Sequence, residues 1–479
     1  MADRIQDPVL ERLSVGADAE PALLEVLKGD TDHKEPGTGT PLAARSTFED
    51  AKKRGPLGVL QLLGPGLITG ASDDDPSGIG TYSQVGSQFG FGMLWLAPFT
   101  FPMMAAVQEV CGRIALQTGV GLGTSLRKKF PTALVGVCIA ALLIANTINV
   151  GADLGAVASG ASQLTRQRVP EILFVVPVAA LVAVLQLFVS FQWIFRVFKW
   201  LTLSLFAYIV TGFAAHPDLL QVVKATVIPH LELSQNFVMG VVAVLGTTIS
   251  PYLFFWQASA EVDEMSSAEP TTEVRRSRLK TSELRAARTD IFIGMAFSQI
   301  VMYFIILTSG AVLHAHGKTD IQSADQAASA LEPFLGSFAF VAFALGMIGT
   351  GLLAIPILSG SAAYALKEFM GWRGSLAVKP QYRPTFYGIM VAAVVAGALM
   401  NFLHIDPIKA LFYTAVLNGL VAPPLLVLIT LLGADRKYMK RHLSGQLSQA
   451  LCWAATAAMG AAAIALIVTL IPGVKLPGG

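Results

Sequence analysis

The run Ser72-Asp73-Asp74-Asp75-Pro76-Ser77-Gly78 places three carboxylates inside an apolar stretch, between Leu60–Ile68 and Ile79–Val85. A charged side chain at a bilayer centre costs about 2.5–3.5 kcal/mol even on lenient insertion scales, and an inert helix has no use for three. Pro76 lacks a backbone N–H and clashes with the preceding turn, while Gly70 and Gly78 loosen the chain on either side. The segment is expected to unwind and expose carbonyls that water, an ion or a ligand must satisfy. The chemistry is binding rather than bond-making. The sequence holds no nucleophile–base pair, P-loop or H-E-x-x-H motif, so an enzyme is not expected.

A second stretch repeats the pattern. Gly246-Thr247-Thr248-Ile249-Ser250-Pro251-Tyr252 again sets small polar residues, a glycine and a proline in mid-span. Corresponding interruptions in two halves point to an inverted-repeat transporter whose site lies at the bilayer midplane. The elements that must position these breaks are apolar runs of about 20 residues. Eleven are predicted, over 57–83, 90–118, 132–162, 168–190, 194–214, 235–262, 288–314, 328–366, 385–402, 407–432 and 449–472. The eighth must tilt, kink at Pro356 or extend beyond the bilayer. The fold class is an all-α polytopic membrane protein. It divides into a solvated N-terminal tail over 1–55 and a transmembrane domain over 56–479. That domain comprises repeats over about 57–214 and 235–432, then an eleventh helix.

Composition agrees. The chain of 479 residues is 53% hydrophobic and 14% charged, with a mean hydropathy of +0.60, against roughly 25% charged in a soluble domain. A net charge of +2 gives no reason to invoke nucleic acid. Cys111, Cys138 and Cys452 lie in apolar segments without metal-type spacing and read as packing residues. Lysine and arginine concentrate in alternate loops: Arg127–Lys129, Arg196 and Lys199, Arg275–Arg288, Lys367–Arg383 and Arg436–Arg441. The positive-inside rule then places the N-terminus in the cytoplasm and, with eleven spans, the C-terminus outside. The expected setting is a bacterial inner (plasma) membrane, with the lipid bilayer and a substrate as partners and a monomer or weak oligomer as the assembly.

Several motifs are familiar together. Gly64-Pro65-Gly66 leading into Asp75-Pro76-Ser77-Gly78, followed by Gly86-Ser87-Gln88-Phe89-Gly90 and Leu94-Trp95, resembles the first helix of the Nramp divalent-metal transporters and its continuation. Gly151–Leu154 is similar to that family's third helix, Gly246–Tyr252 to its sixth-helix break, and Arg288-Thr289-Asp290-Ile291 to the start of its seventh. The resemblance implies a LeuT-type 5+5 inverted repeat plus one helix, with helices 1 and 6 broken, and carriage of a divalent cation as substrate with no resident cofactor. It also implies a metal site drawn from Asp75, the carbonyls of Ser72 and Thr247, and the positions of Gly78 and Ser250. Gly78 stands where the family has an asparagine ligand, and Ser250 where it has a methionine. Tyr252 stands where it has a histidine, Asp153 keeps its third-helix aspartate, and Ala156 replaces a glutamate.

These departures shape the expected cargo. A thioether favours soft transition ions. Without it, the remaining oxygen donors suit Mg²⁺ or Mn²⁺. That is the pattern of a divergent, Nramp-related magnesium-transporter-like member. The missing asparagine predicts a roomier pocket. Asp73, Asp74, Ser77, Tyr252, Asp153 and Glu109 are expected along the substrate pathway. Asp153 or Glu109 could relay a proton, but with the histidine and glutamate positions non-titrating, proton coupling is in doubt. Glu109 is equally placed to pair with Arg113 at i+4. Asn146 and Asn149 read as glue between helices. The competing reading is a carrier of the same fold for a small cationic organic solute, with Asp75 as counter-ion.

Overall fold

The computed structural model describes residues 64–470, apart from 191–192, 195–196, 198–202, 269–278, 280, 322–323, 373 and 404–405. The expected N-terminal tail, the first span before residue 64, and parts of the fifth span and of the Arg275–Arg288 run lie outside the described residues. The principal helices are α1 (Pro65–Asp73), α2 (Pro76–Phe89), α3 (Leu96–Thr118), α4 (Leu122–Lys129), α5 (Thr132–Leu164), α6 (Ile172–Phe188), α7 (Phe206–Ala214) and α8 (Leu219–Val227). They continue with α9 (Gln235–Thr248), α10 (Pro251–Ala268), α11 (Thr281–Val312), α12 (Ala339–Met370), α13 (Pro384–Met400), α14 (Pro407–Gly433) and α15 (Gln446–Thr469).

Among the described residues, seven stretches are long and apolar enough to cross a membrane, the longest of them Thr281–His316. The first span, divided by its break into α1 and α2, is not among them. Val137, Leu173, Phe188, Leu399 and Ile464 are exposed. Apolar side chains so placed on α5, α6, α13 and α15 fit contact with lipid rather than water.

The packing is reciprocal. α2, the second half of the broken first span, packs on α11. α10, the second half of the broken sixth span, packs on α3. α1 also packs on α11, so both halves of the broken first span lie against that helix. α5 meets α12, α13 and α14, and α15 lies against α3 and α14.

Two sequence expectations are corrected here. Gly70 does not loosen the chain; it lies within α1, and a Cβ there would stand 2.2 Å from the Gly294 carbonyl of α11. Gly246 serves α9 in the same way, where a Cβ would stand 2.0 Å from Ala415 O of α14. Both glycines are required for backbone contact between helices. The eighth span also begins later than 328. Residues 324–338 form short helical turns ended by Gly336 at φ 53°, and α12 then runs 32 residues through Pro356 without interruption. The alanine-rich approach to α12 reads as one apolar run, but Pro333 and Gly336 divide it.

Candidate functional site at the two helix breaks

The first break is narrower than the stretch Ser72–Gly78 suggests. α1 continues through Asp73, Asp74 closes it, and Asp75 is the extended N-cap of α2. Pro76 occupies the first position of α2, where its missing N–H costs nothing. The two oxygens of Asp75 have different duties. Oδ1 accepts the Gly78 N–H at 2.8 Å and the Ser77 hydroxyl at 2.6 Å, capping α2. Oδ2 faces the Asn149 amide of α5 and the Tyr252 hydroxyl of α10, each at 3.3 Å. That hydroxyl also lies 3.0 Å from the Ser72 carbonyl. The Ser72 carbonyl, at the end of α1, and the Asp75 oxygen not used for capping therefore converge on a single donor.

Asp73 and Asp74 turn elsewhere. The Ser298 hydroxyl of α11 lies 2.6 Å from Asp73 Oδ2 and 3.2 Å from Asp74 Oδ1, while Asp73 Oδ1 and Asp74 Oδ2 are buried without a hydrogen bond. The start of α1 is held from outside its own helix. Asp290 of α11 accepts the N–H groups of Gly64, Gly66 and Leu67 at 2.9, 2.8 and 3.1 Å, an N-cap supplied by a neighbouring helix.

At the second break, α9 ends at Thr248 and α10 begins at Pro251. Ser250 turns its hydroxyl back onto α9, donating to the carbonyls of Gly246 at 2.9 Å and Thr247 at 2.7 Å. Tyr252 is tied to α12, since its carbonyl accepts the Ser361 hydroxyl at 2.6 Å. The two breaks face each other. A Cβ at Gly78 would lie 3.4 Å from Thr247 Oγ1, 3.2 Å from Tyr82 Cε2 and 3.3 Å from the Asp73 carbonyl. The roomier pocket expected from Gly78 is therefore absent, because Tyr82 and Thr247 fill the space beside the missing side chain.

Asp153 is buried on α5, directed at the Ser77 N–H and interacting electrostatically with Asp75, without a well-formed hydrogen bond. Glu109 pairs with Arg113, as the i+4 spacing predicts, and lies near Cys452 of α15 rather than at the break. Asn146 binds the Leu358 carbonyl, the expected helix glue. Asn149 and Ser298 are the site residues sequence reasoning missed. For Asn149 a signal existed in its place one turn before Asp153, but Ser298 has none in an ordinary apolar helix.

Among the described residues no Lys or Arg pairs with Asp73, Asp74, Asp75 or Asp153. A buried carboxylate without a counter-charge costs several kcal/mol, so the site has a strong demand for positive charge. Among the described residues no group of three His, Cys, Asp or Glu side chains is placed to hold a metal. A cation here would have to draw on carbonyl, amide and hydroxyl oxygens around one carboxylate.

Comparison with known proteins follows the same line. Residues 66–469 match the family model described as natural resistance-associated macrophage protein-like, Nramp. The divalent metal cation transporter MntH of Pectobacterium carotovorum subsp. carotovorum (strain PC1) is 25% identical over 341 residues, covering 67% of this chain and 75% of that protein. The crystal structure of the Eremococcus coleocola manganese transporter, in complex with an aromatic bis-isothiourea substituted compound, superposes with a TM-score of 0.65 at 14% identity, over 88% of this chain and 89% of that one. Mhp1, a nucleobase-cation-symport-1 family transporter in a closed conformation with bromovinylhydantoin bound, superposes with a TM-score of 0.56 at 14% identity, over 86% and 91%. The fold is thus the LeuT-like arrangement of an all-helical polytopic membrane protein.

Proposed function

The chain belongs to the Nramp family, a family of transporters rather than enzymes, and on that premise we propose that it carries a divalent metal cation across the plasma membrane by alternating access, with Mg²⁺ or Mn²⁺ preferred over softer ions. The observation that carries this reading is the convergence of Ser72 O and Asp75 Oδ2 on the Tyr252 hydroxyl. Two hard oxygens already meet at one point, and a cation arriving there takes the place of a hydroxyl proton. Asn149 brings an amide to the same carboxylate. The Thr247 carbonyl, the Gly78 position and Ser250 complete the proposed metal surroundings.

Ion choice rests on donor chemistry. No thioether or imidazole enters this set, and carboxylate, carbonyl and hydroxyl oxygen suit Mg²⁺ and Mn²⁺. Asp73, Asp74, Ser77 and Asp153 form the acidic surroundings of the path. Glu109, engaged with Arg113, is a weaker candidate for it. With no histidine after Pro251 and Ala156 in place of a carboxylate, we read transport as uncoupled. The membrane potential, worth about 2.3 kcal/mol per charge per 100 mV, would then drive the ion inwards past a cytoplasmic N-terminus.

The test is ion flux into proteoliposomes. Mg²⁺ and Mn²⁺ should enter with the wild type and not with Asp75→Ala, without acidification of the lumen. Uptake of Cd²⁺ with no Mg²⁺ would overturn the ion choice, and metal-evoked acidification would overturn uncoupled transport. Binding of an organic solute in the absence of metal would favour the alternative carrier, for which Mhp1 is the fold precedent.

A further inference from the structure

Away from the breaks, the C-terminal end of α3, α4 and the segment joining α14 to α15 enclose a cavity of about 670 Å³. Lys128, Lys437, Lys440 and Arg441 line it with His442 and Gln117, and no carboxylate is among its lining residues. The nearby acids are already engaged. Asp435 pairs with Lys129 at 2.7 Å and caps the turn after it through the Lys437 N–H at 2.8 Å. Glu109 holds Arg113. Among the described residues none of the four lining cations forms an ion pair.

The walls are tied together rather than loosely apposed. The Tyr438 hydroxyl donates to the Lys128 carbonyl at 2.7 Å, joining the segment after α14 to α4. Two polar atoms at this locus, His442 Nε2 and Gln117 Oε1, are buried without a hydrogen-bond partner. Partial burial, with Arg441 and Arg113 close by, holds the His442 imidazole below the usual histidine range. Burial is the larger cause, and the two guanidinium charges act in the same direction. The four cations also lie in the basic loops that the positive-inside pattern places at one membrane surface.

We propose that this cavity binds a phosphate-bearing anion, either the headgroup of an anionic phospholipid or a soluble phosphate, held by Lys128, Lys437, Lys440 and Arg441. Mobile ammonium groups suit phosphate, which they meet as point charges without a fixed geometry. The cavity opens where polybasic segments meet anionic lipid. The site is independent of the metal path, so it can stand or fall by itself.

The experiment is calorimetry on the full-length protein in neutral detergent. The probes are dioctanoyl-phosphatidylglycerol, dioctanoyl-phosphatidylcholine and inorganic phosphate. The anionic lipid should bind, weaken with salt, and lose about a hundredfold in affinity in the Lys437→Gln/Lys440→Gln/Arg441→Gln variant, which removes three charges near the headgroup. Lys128→Gln, on the facing wall, should give a smaller loss of the same sign. The melting temperature and Mg²⁺ binding of these variants should match the wild type, which shows that they fold. Tighter binding of inorganic phosphate than of lipid assigns the site to a soluble phosphate; binding of the anionic lipid alone assigns it to a headgroup. Equal binding of both lipids with no phosphate binding, or affinities unchanged in the triple variant, overturns the proposal.

Discussion

At the first break Asp75 caps the helix that follows it, whereas at the second Ser250 caps the helix that precedes it. Both breaks have a proline opening their second half, and both are pressed against a neighbouring helix through glycine, Gly70 on Gly294 and Gly246 on Gly419. The difference lies in what each leaves available. A carboxylate has an oxygen to spare after capping, so the first break retains a charged acceptor. A serine hydroxyl has one proton, and Ser250 directs it at its own Gly246 and Thr247 carbonyls. The second break thus keeps a carbonyl in reserve behind an internal hydrogen bond. The charge lies at one break, and the carbonyls held in an internal hydrogen bond lie at the other.

The largest expected effect separates capping from charge. Asparagine caps a helix about as well as aspartate, and alanine in that place costs roughly 1 kcal/mol. Asp75→Asn should therefore keep the melting temperature close to wild type while divalent binding by calorimetry falls by about a hundredfold or more. An Asn variant that still binds metal would show that capping, and not charge, is what Asp75 supplies.

The next effect tests whether the breaks share one means of support. Gly246→Ala and Gly70→Ala each force a methyl into a neighbouring backbone, and overpacking of this kind costs about 1–3 kcal/mol. Thermal melts should fall in both, by similar amounts. A drop at only one would break the symmetry.

A smaller change of opposite sign is expected at Tyr252. Tyr252→Phe removes the donor that occupies both Ser72 O and Asp75 Oδ2. Hydrogen bonds to charged groups contribute about 1.5–3 kcal/mol, so divalent binding should tighten by roughly tenfold. Weaker binding would mean that the hydroxyl orders the site more than it obstructs it. The smallest effect is at Ser250. Ser250→Met frees the Thr247 carbonyl and adds a thioether, so a flux panel should shift a few-fold towards Cd²⁺ over Mg²⁺.

Much of this was legible in the residues. Pro76 and Pro251 marked both breaks, and three aspartates in an apolar run pointed to the first of them as the candidate site. The i+4 spacing of Glu109 and Arg113 foretold their pair. The width of the first break was not legible, because whether Asp73 stays helical depends on Ser298 and on the cap that Asp290 lends to α1. Gly78 misled, since a missing side chain reads as space until Tyr82 and Thr247 are seen to fill it.

What the sequence determined by itself is the membrane class, the all-helical fold and the position of the two breaks. Each follows from local cost: apolar length against bilayer thickness, and proline and charge against a continuous helix. What only the tertiary structure decided is which helices bring Asn149, Ser298 and Tyr252 to the acidic break, and which carboxylate oxygens of Asp73, Asp74 and Asp75 they meet. Those outcomes depend on partners 74 to 225 residues away in the chain. No local preference encodes such a meeting; the packing of α5, α10 and α11 around the break does.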